Sequence, residues 1–356
     1  MKPFNFYSGP AILPEEVLRK SAEAIQNFAG TGLSILEISH RSKEFVKVMD
    51  ETISLAKELM QLNADREVIF LQGGGSTQFC MVPMNLLNEN ETAAYFETGQ
   101  WAHNAMEEAK NFGHVHIAAS SKENKYTHIP KEFTLPEKTK YIHLTTNNTI
   151  YGTQFKMNHP LFATNEMLVA DMSSDIFSRV VDFNRFDLVY AAAQKNFGAA
   201  GVTMVAVNKN VLGKVQRKIP KMLDYLVHIE KQSMHNTPSV FAVYVAYLTL
   251  QWTRQQGIKN LEKQNEQKAK LIYDAIDNAS LFETYVAKED RSLMNVCFHT
   301  KDKTHEEKFI AFCKERNIVG IKGYRTVGGF RASIYNAMTL QGASALADAI
   351  AGFRGN

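Results

Sequence analysis

Hydrophobic residues change their spacing along the chain, and the change marks out its parts. Val17, Leu18, Ile25 and Phe28 follow Pro14-Glu15-Glu16 as one apolar stripe. They predict a helix opened by proline and acids and stopped near Gly30. Phe45, Val46, Met49, Ile53, Ala56, Leu59 and Met60 recur at helical spacing and predict a second helix over residues 43–62. From there short apolar runs take over, at residues 68–71, 93–96, 115–118, 141–145, 167–170, 188–192 and 202–207, and these predict strands. Helical segments over residues 81–87 and 101–112 separate the first three. Apolar strands interleaved with helices predict an α/β fold whose mostly parallel sheet is flanked by helices.

After Pro238 the pattern changes again. A long helical stretch runs over residues 239–278, broken near Gly257. A strand (293–298), a helix (306–316), a strand (331–335) and a last helix (342–353) follow and predict a smaller α+β domain. Residues 1–13 read as irregular, with Ser8-Gly9-Pro10 as a turn. The expected division is a large domain of residues 14–255 and a small domain built from residues 1–13 and 256–356.

Composition narrows the function classes. The 356 residues are 45% hydrophobic and 22% charged, which suits a globular chain with a sizeable core. A formal charge of only +3 gives no general field for nucleic acid or an anionic membrane, and neither partner is expected. The N-terminus, MKPFNFYSGPAILPEE, lacks the apolar core of a signal peptide, and the apolar stretch from Val240 to Trp252 is too short to span a bilayer. Cys80, Cys297 and Cys313 are scattered, without disulfide or metal-ligand spacing, so a cytoplasmic location and no metal are expected.

Candidate chemistry gathers at the ends of the apolar runs. The run Asp187-Leu-Val-Tyr-Ala-Ala-Ala delivers Gln194 and Lys195 ahead of Asn196-Phe197-Gly198. A desolvated lysine loses its proton readily and forms Schiff bases, although a lysine at a strand end also snorkels to the surface. Gly73-Gly74-Gly75-Ser76-Thr77 sits between a strand and a helix, where it serves either as a tight turn or as an anion cradle. It is neither a GK[ST] loop nor a GxGxxG fingerprint. Asp171 ends another apolar run, where it either caps the next turn or holds a proton on a ring nitrogen. Lys195 lies 24 positions later (195 − 171), one strand–turn–strand away. Asp171, Lys195 and a phosphate loop at the carboxyl ends of one sheet specify pyridoxal phosphate better than any one element does. Trp101 opens a helix and either stacks on a planar ring or fills the core. His40, Arg41, Arg325 and Arg331 form ordinary surface pairs or bind carboxylate and phosphate, and the glycine turn Gly328-Gly329 between the last two favours a binding loop. His40 and His143 lack the spacing for a metal site or a Ser-His-Asp triad.

With these residues in place, the chain resembles the phosphoserine aminotransferases, fold-type I pyridoxal phosphate enzymes of class V, over nearly its whole length. The resemblance rests on FYSGPAILP (6–14), SHRS (39–42), the glycine loop, GQWAHNA (99–105), NNTIYGTQF (147–155), VADMSSDIFSR (169–179), AAAQKNFGAAGV (191–202), NTPSVFAVY (236–244) and GGFRASIYNAM (328–338). It implies a homodimer that transfers an amino group between L-glutamate and 3-phosphohydroxypyruvate, with a phosphorylated four-carbon keto acid of pyridoxine synthesis left open as a further substrate. It implies pyridoxal 5'-phosphate in Schiff-base linkage to Lys195, which is also the general base, with Asp171 on the pyridine nitrogen. Trp101 is implied on the ring face and Thr149 near the phenolic oxygen. Gly75, Ser76 and Gln194 are implied at the cofactor phosphate, completed by Asn236 and Thr237 from the partner subunit. Arg41 is implied at the α-carboxylate of glutamate, with His40, Arg325 and Arg331 as candidates for substrate carboxylate or phosphate. Ser76 stands where certain members carry arginine and Tyr324 where many carry histidine, so the substrate-phosphate contacts stay open. Rival readings are an alanine–glyoxylate type of class V aminotransferase, and a non-catalytic binding protein on the same fold.

Overall fold

The structure is a computed structural model and describes residues 2–355. Strand β1 (Phe4–Asn5) lies in the segment expected to be irregular. Two residues leave no periodicity to read, and the strand exists because its edge pairs in parallel with β13 (Ile318–Val319), over three hundred positions away. Helix α1 (Glu15–Gln26) ends four residues before Gly30, with Asn27 as its C-cap, and Phe28–Gly30 continue as a short 3₁₀ turn. Helix α2 (Lys43–Met60) is capped by Ser42, whose hydroxyl accepts the Phe45 N–H at 3.3 Å. The SHRS stretch thus owes part of its composition to stopping and starting backbone.

The sheet strands then follow: β2 (Arg66–Leu71), β3 (Thr92–Glu97), β4 (His114–Ser120) and β5 (Thr139–Thr145). Helices α3 (Gly74–Leu86) and α4 (Gln100–Ala109) lie between the first of them. A small hairpin, β6 (Asn147–Asn148) with β7 (Thr153–Gln154), leads on to β8 (Leu168–Asp171), β9 (Leu188–Ala192), the single turn α5 (Ala193–Asn196) and β10 (Thr203–Asn208). Seven strands form one sheet in the order β2-β10-β9-β8-β5-β3-β4. Only β10 runs antiparallel to its neighbours, so the others all point their carboxyl ends to the same edge. Both faces of the sheet are covered. One face contributes Phe70, Phe96, Leu144 and Met204 to a core shared with α2 and with α7 (Val240–Gln256). The other contributes Ile69, Tyr95, Tyr141 and Tyr190 to a core shared with α3, α4 and α6 (Tyr225–Glu230). Double burial explains why these strands read as continuous apolar runs instead of alternating ones.

Gly257, at φ 75°, ends α7 and starts α8 (Ile258–Asn278), the break expected near that position. β11 (Phe282–Glu283), β12 (Asn295–Thr300) and β14 (Phe330–Ser333) form a three-stranded antiparallel sheet. Helices α8, α9 (Glu306–Glu315) and α10 (Leu340–Gly352) pack around it. Its separate core holds Phe282, Phe298, Phe309, Phe330 and Phe353, and Phe6 joins it from the N-terminal segment.

Candidate active site

Three sheet strands end at one place. β2 ends at Leu71, and after Gln72 the chain turns through Gly73 straight into α3. Gly73 has φ 99°, and a Cβ there would come within 2.0 Å of Thr77 Oγ1, so no other residue fits the turn. The helix starts at Gly74, seven positions before the expected start at residue 81. Its first-turn N–H groups, from Gly74 through Ser76, therefore lie inside the glycine run and have no intrahelical acceptors. Such a terminus favours an anion. Gly75 is backed by Ser173 and Tyr190, whose side chains would lie 3.6 and 4.0 Å from an added Cβ.

β8 ends in Asp171, 5% exposed. Its Oδ1 accepts the Ser173 N–H at 2.9 Å, while among the described residues Oδ2 accepts no hydrogen bond. The turn cap and the open acceptor thus coexist on one carboxylate. Burial pushes this carboxyl above the usual aspartate range, against the opposing pull of the Lys195 charge and the Ser173 N–H. β9 ends at Ala192, and the single helical turn α5 presents Lys195. Its Nζ donates to Thr149 Oγ1 at 3.1 Å. Burial pushes the amine below the usual lysine range; Asp171 opposes that shift and Arg331 adds to it. Lys195 is partly enclosed and does not snorkel away from these groups. Gln194 beside it accepts the Ala11 N–H at its carbonyl.

The four basic residues do not stay together. Arg331, on β14, donates from Nη2 to Ser8 Oγ at 2.6 Å and is the guanidinium whose charge reaches Lys195. Arg325, six positions earlier, lies exposed in the turn before Gly328, and Arg41 is exposed in the turn before α2. His40 is half-buried beside it. Trp101 sits in the first turn of α4 and packs partly against the core that holds Tyr95 and Tyr190. Thr149 is buried just after β6. Asn236 and Thr237 lie against Gln72 of the same chain: Gln72 Nε2 donates to the Thr237 carbonyl at 3.1 Å, and Asn236 Nδ2 to Gln72 Oε1 at 3.4 Å.

Several neighbours of this site were not among the residues that the sequence marked for it. Ser8 stood out only as part of a turn, yet its hydroxyl receives Arg331 and its carbonyl receives the Tyr335 hydroxyl at 2.9 Å. His143 bonds Tyr190 Oη through Nε2 at 2.9 Å and stacks on Tyr95 at 4.8 Å between ring centroids. Burial pushes its imidazole down to about 3, so it stays neutral. Each of these contacts joins residues distant in sequence.

Comparison with known proteins agrees on one family. The family model described as aminotransferase class-V matches residues 3–346. A phosphoserine aminotransferase of Parabacteroides distasonis is 52% identical over 349 residues, covering 97% of each chain. That of Flavobacterium johnsoniae is 53% identical over 350 residues, covering 98% of each. The solved phosphoserine aminotransferase from Bacillus circulans subsp. alkalophilus superposes with a TM-score of 0.94 at 40% identity, over 98% of this chain and 97% of that one.

Proposed function

This chain belongs to the class-V aminotransferases and, within them, to the phosphoserine aminotransferase family, and on that premise we propose that it moves an amino group between L-glutamate and 3-phosphohydroxypyruvate, giving 2-oxoglutarate and O-phospho-L-serine for serine biosynthesis. The enzyme depends on pyridoxal 5'-phosphate, whose ring supplies an electron sink for the charge left when a proton leaves the substrate Cα. The donor set fits that group. The free N–H groups at the start of α3 suit its phosphate, with Gly75, Ser76 and Gln194 as the residues that would hold it. The open Oδ2 of Asp171 suits a protonated ring nitrogen. Trp101 would cover the ring face, Thr149 would meet the phenolic oxygen, and Lys195 Nζ would make the covalent link.

One observation carries the reading. The amine of Lys195 feels the charges of both Asp171 and Arg331 while its Nζ bonds Thr149. Desolvation keeps a free amine available, and once released it takes the proton from the Cα of the amino acid. Arg331, beside that amine, holds the carboxylate next to the reacting carbon, a role that the family resemblance implied for Arg41 with glutamate. Arg325, His40 and Arg41 are left for the distal charge: the phosphate of one substrate and the side-chain carboxylate of the other.

The active form in this reading is a homodimer in which Asn236 and Thr237 complete the phosphate site of the partner. In its support, Leu18, Ile25, Leu33 and Leu36 are 40–64% exposed within one short stretch of chain, beside the turn that carries His40 and Arg41. A cytoplasmic location is consistent with three free cysteines, and among the described residues no helix is long and apolar enough to cross a membrane. The test is a coupled assay with glutamate and 3-phosphohydroxypyruvate beside the unphosphorylated keto acid. The phosphorylated acid is expected to react with the far higher kcat/KM; equal values would refute the substrate assignment.

A further inference from the structure

A buried chain of side-chain amides and hydroxyls joins the two sides of the site. Ser292 Oγ accepts the N–H groups of Met294 and Asn295, both at 2.9 Å, so its own proton is left to donate. That proton goes to Asn147 Oδ1 at 2.5 Å. The amide of Asn147 is thereby oriented, and its Nδ2 donates to Asn295 Oδ1 at 2.7 Å. The amide of Asn295 is oriented in turn. Its Nδ2 donates to Ser333 Oγ at 2.9 Å and to Tyr335 Oη at 3.3 Å. Tyr335 then donates to the carbonyl of Ser8, whose hydroxyl receives Arg331. Backbone N–H groups fix the direction at one end and a backbone carbonyl fixes it at the other.

Asn147 lies two residues before Thr149, the partner of Lys195. Ser333 and Tyr335 lie two and four residues after Arg331, on β14 and just beyond it. Asn295, at the start of β12, is 0% exposed and is the link where the loop of Thr149 meets the strand of Arg331. We propose that Asn295 is a positioning residue for the transfer reaction: through Asn147 on one side and Tyr335 on the other, it sets where the carboxylate-binding Arg331 stands relative to Lys195. The inference rests on Arg331 holding the substrate carboxylate.

The polarity of the chain makes the test selective. Asn295→Asp keeps the shape but turns the donor to Tyr335 and Ser333 into an acceptor. Tyr335 must then give up either the new carboxylate or the Ser8 carbonyl. Tyr335→Phe breaks the next link and leaves Asn295 intact. Both variants are measured as cofactor-loaded enzyme for turnover, for thermal unfolding, and for affinity of the unreactive dicarboxylate glutarate, read from the absorbance of the bound cofactor. The expected result is roughly tenfold weaker glutarate binding and higher KM in each variant, with kcat changed less. The double variant should be no worse than the worse single one, because both break the same chain. A fall in kcat or melting temperature with glutarate affinity unchanged would show Asn295 to be structural only, as would additive losses in the double variant. An unaltered enzyme that fails with 3-phosphohydroxypyruvate would overturn the proposed reaction alone, since glutarate binding reads the positioning separately.

Discussion

Lys195 and Lys268 are both drawn into the interior, and burial pushes both amines below the usual lysine range. Around Lys268, on α8, burial is the sole cause and takes the amine down to about 7. Its Nζ donates to the carbonyls of Ile334 and Tyr335 at 2.9 and 2.8 Å. A neutral amine still has two N–H groups, so both bonds survive loss of the proton. Around Lys195 there are two carboxylates, Asp171 and Asp175, a guanidinium and a hydroxyl, and access is only partly closed. Desolvation makes an amine easy to deprotonate in either place. What distinguishes a reactive lysine from a structural one here is the set of charges that faces it and room for another molecule to reach it.

The largest effect that can break this distinction is loss of each amine. Lys195→Ala should lower turnover by about a thousandfold with the fold intact, whereas Lys268→Met should leave kcat within a few-fold. Comparable losses from the two changes, in purified protein with normal melting curves, would erase the distinction. Asp171→Asn comes next. It should retain cofactor and lose about a hundredfold in kcat, because an amide cannot stabilise a positive ring nitrogen. A kcat within a few-fold of the parent would make Asp171 only the cap of the Ser173 turn.

The arginines offer a smaller and more specific contrast. Arg331→Ala should weaken kcat/KM by roughly 2–5 kcal/mol for phosphorylated and unphosphorylated keto acids alike, the expected loss of a charge-assisted pair beside the reacting carbon. Arg325→Ala should affect only the phosphorylated acid, and by less. A phosphate-specific loss in Arg331→Ala would reverse the two assignments.

The last contrast leaves turnover aside and concerns stability. Lys268 shifts from 10.5 to about 7 on folding. Between those values the unfolded chain holds a proton that the folded one has lost, so this group makes stability rise with pH by up to about 1.4 kcal/mol per unit. Below about pH 7 both states are protonated and its contribution is at its lowest. Lys268→Met should flatten the rise in denaturant unfolding energy across that window. An unchanged slope would mean that Lys268 keeps its proton in the fold.

Much of this was legible along the chain. The run 188–192 is a strand with those same limits, and Gly257 divides the long helical stretch as its position suggested. Strand ends locate Asp171 and Lys195 because a polar residue after a doubly buried run is conspicuous. The start of α3 was missed by seven residues, since glycines read as a turn until their N–H groups are seen to begin the helix. β1 and β13 owe their existence to each other and not to local pattern. Arg325 and Arg331 look equivalent across a glycine turn, but β14 carries one inward while the turn leaves the other exposed. Lys268 and Asn295 gave no signal, because a single polar residue on a helix or strand reads as solvated until its partners are known.

The central claim is that Lys195 is the lysine that bonds the cofactor. Borohydride reduction of the loaded enzyme, followed by proteolysis and mass mapping, tests it without any assay of turnover. The account predicts the cofactor mass on the peptide containing Lys195 and on no other. The mass on the peptide of Lys268, or on any peptide lacking Lys195, would contradict it.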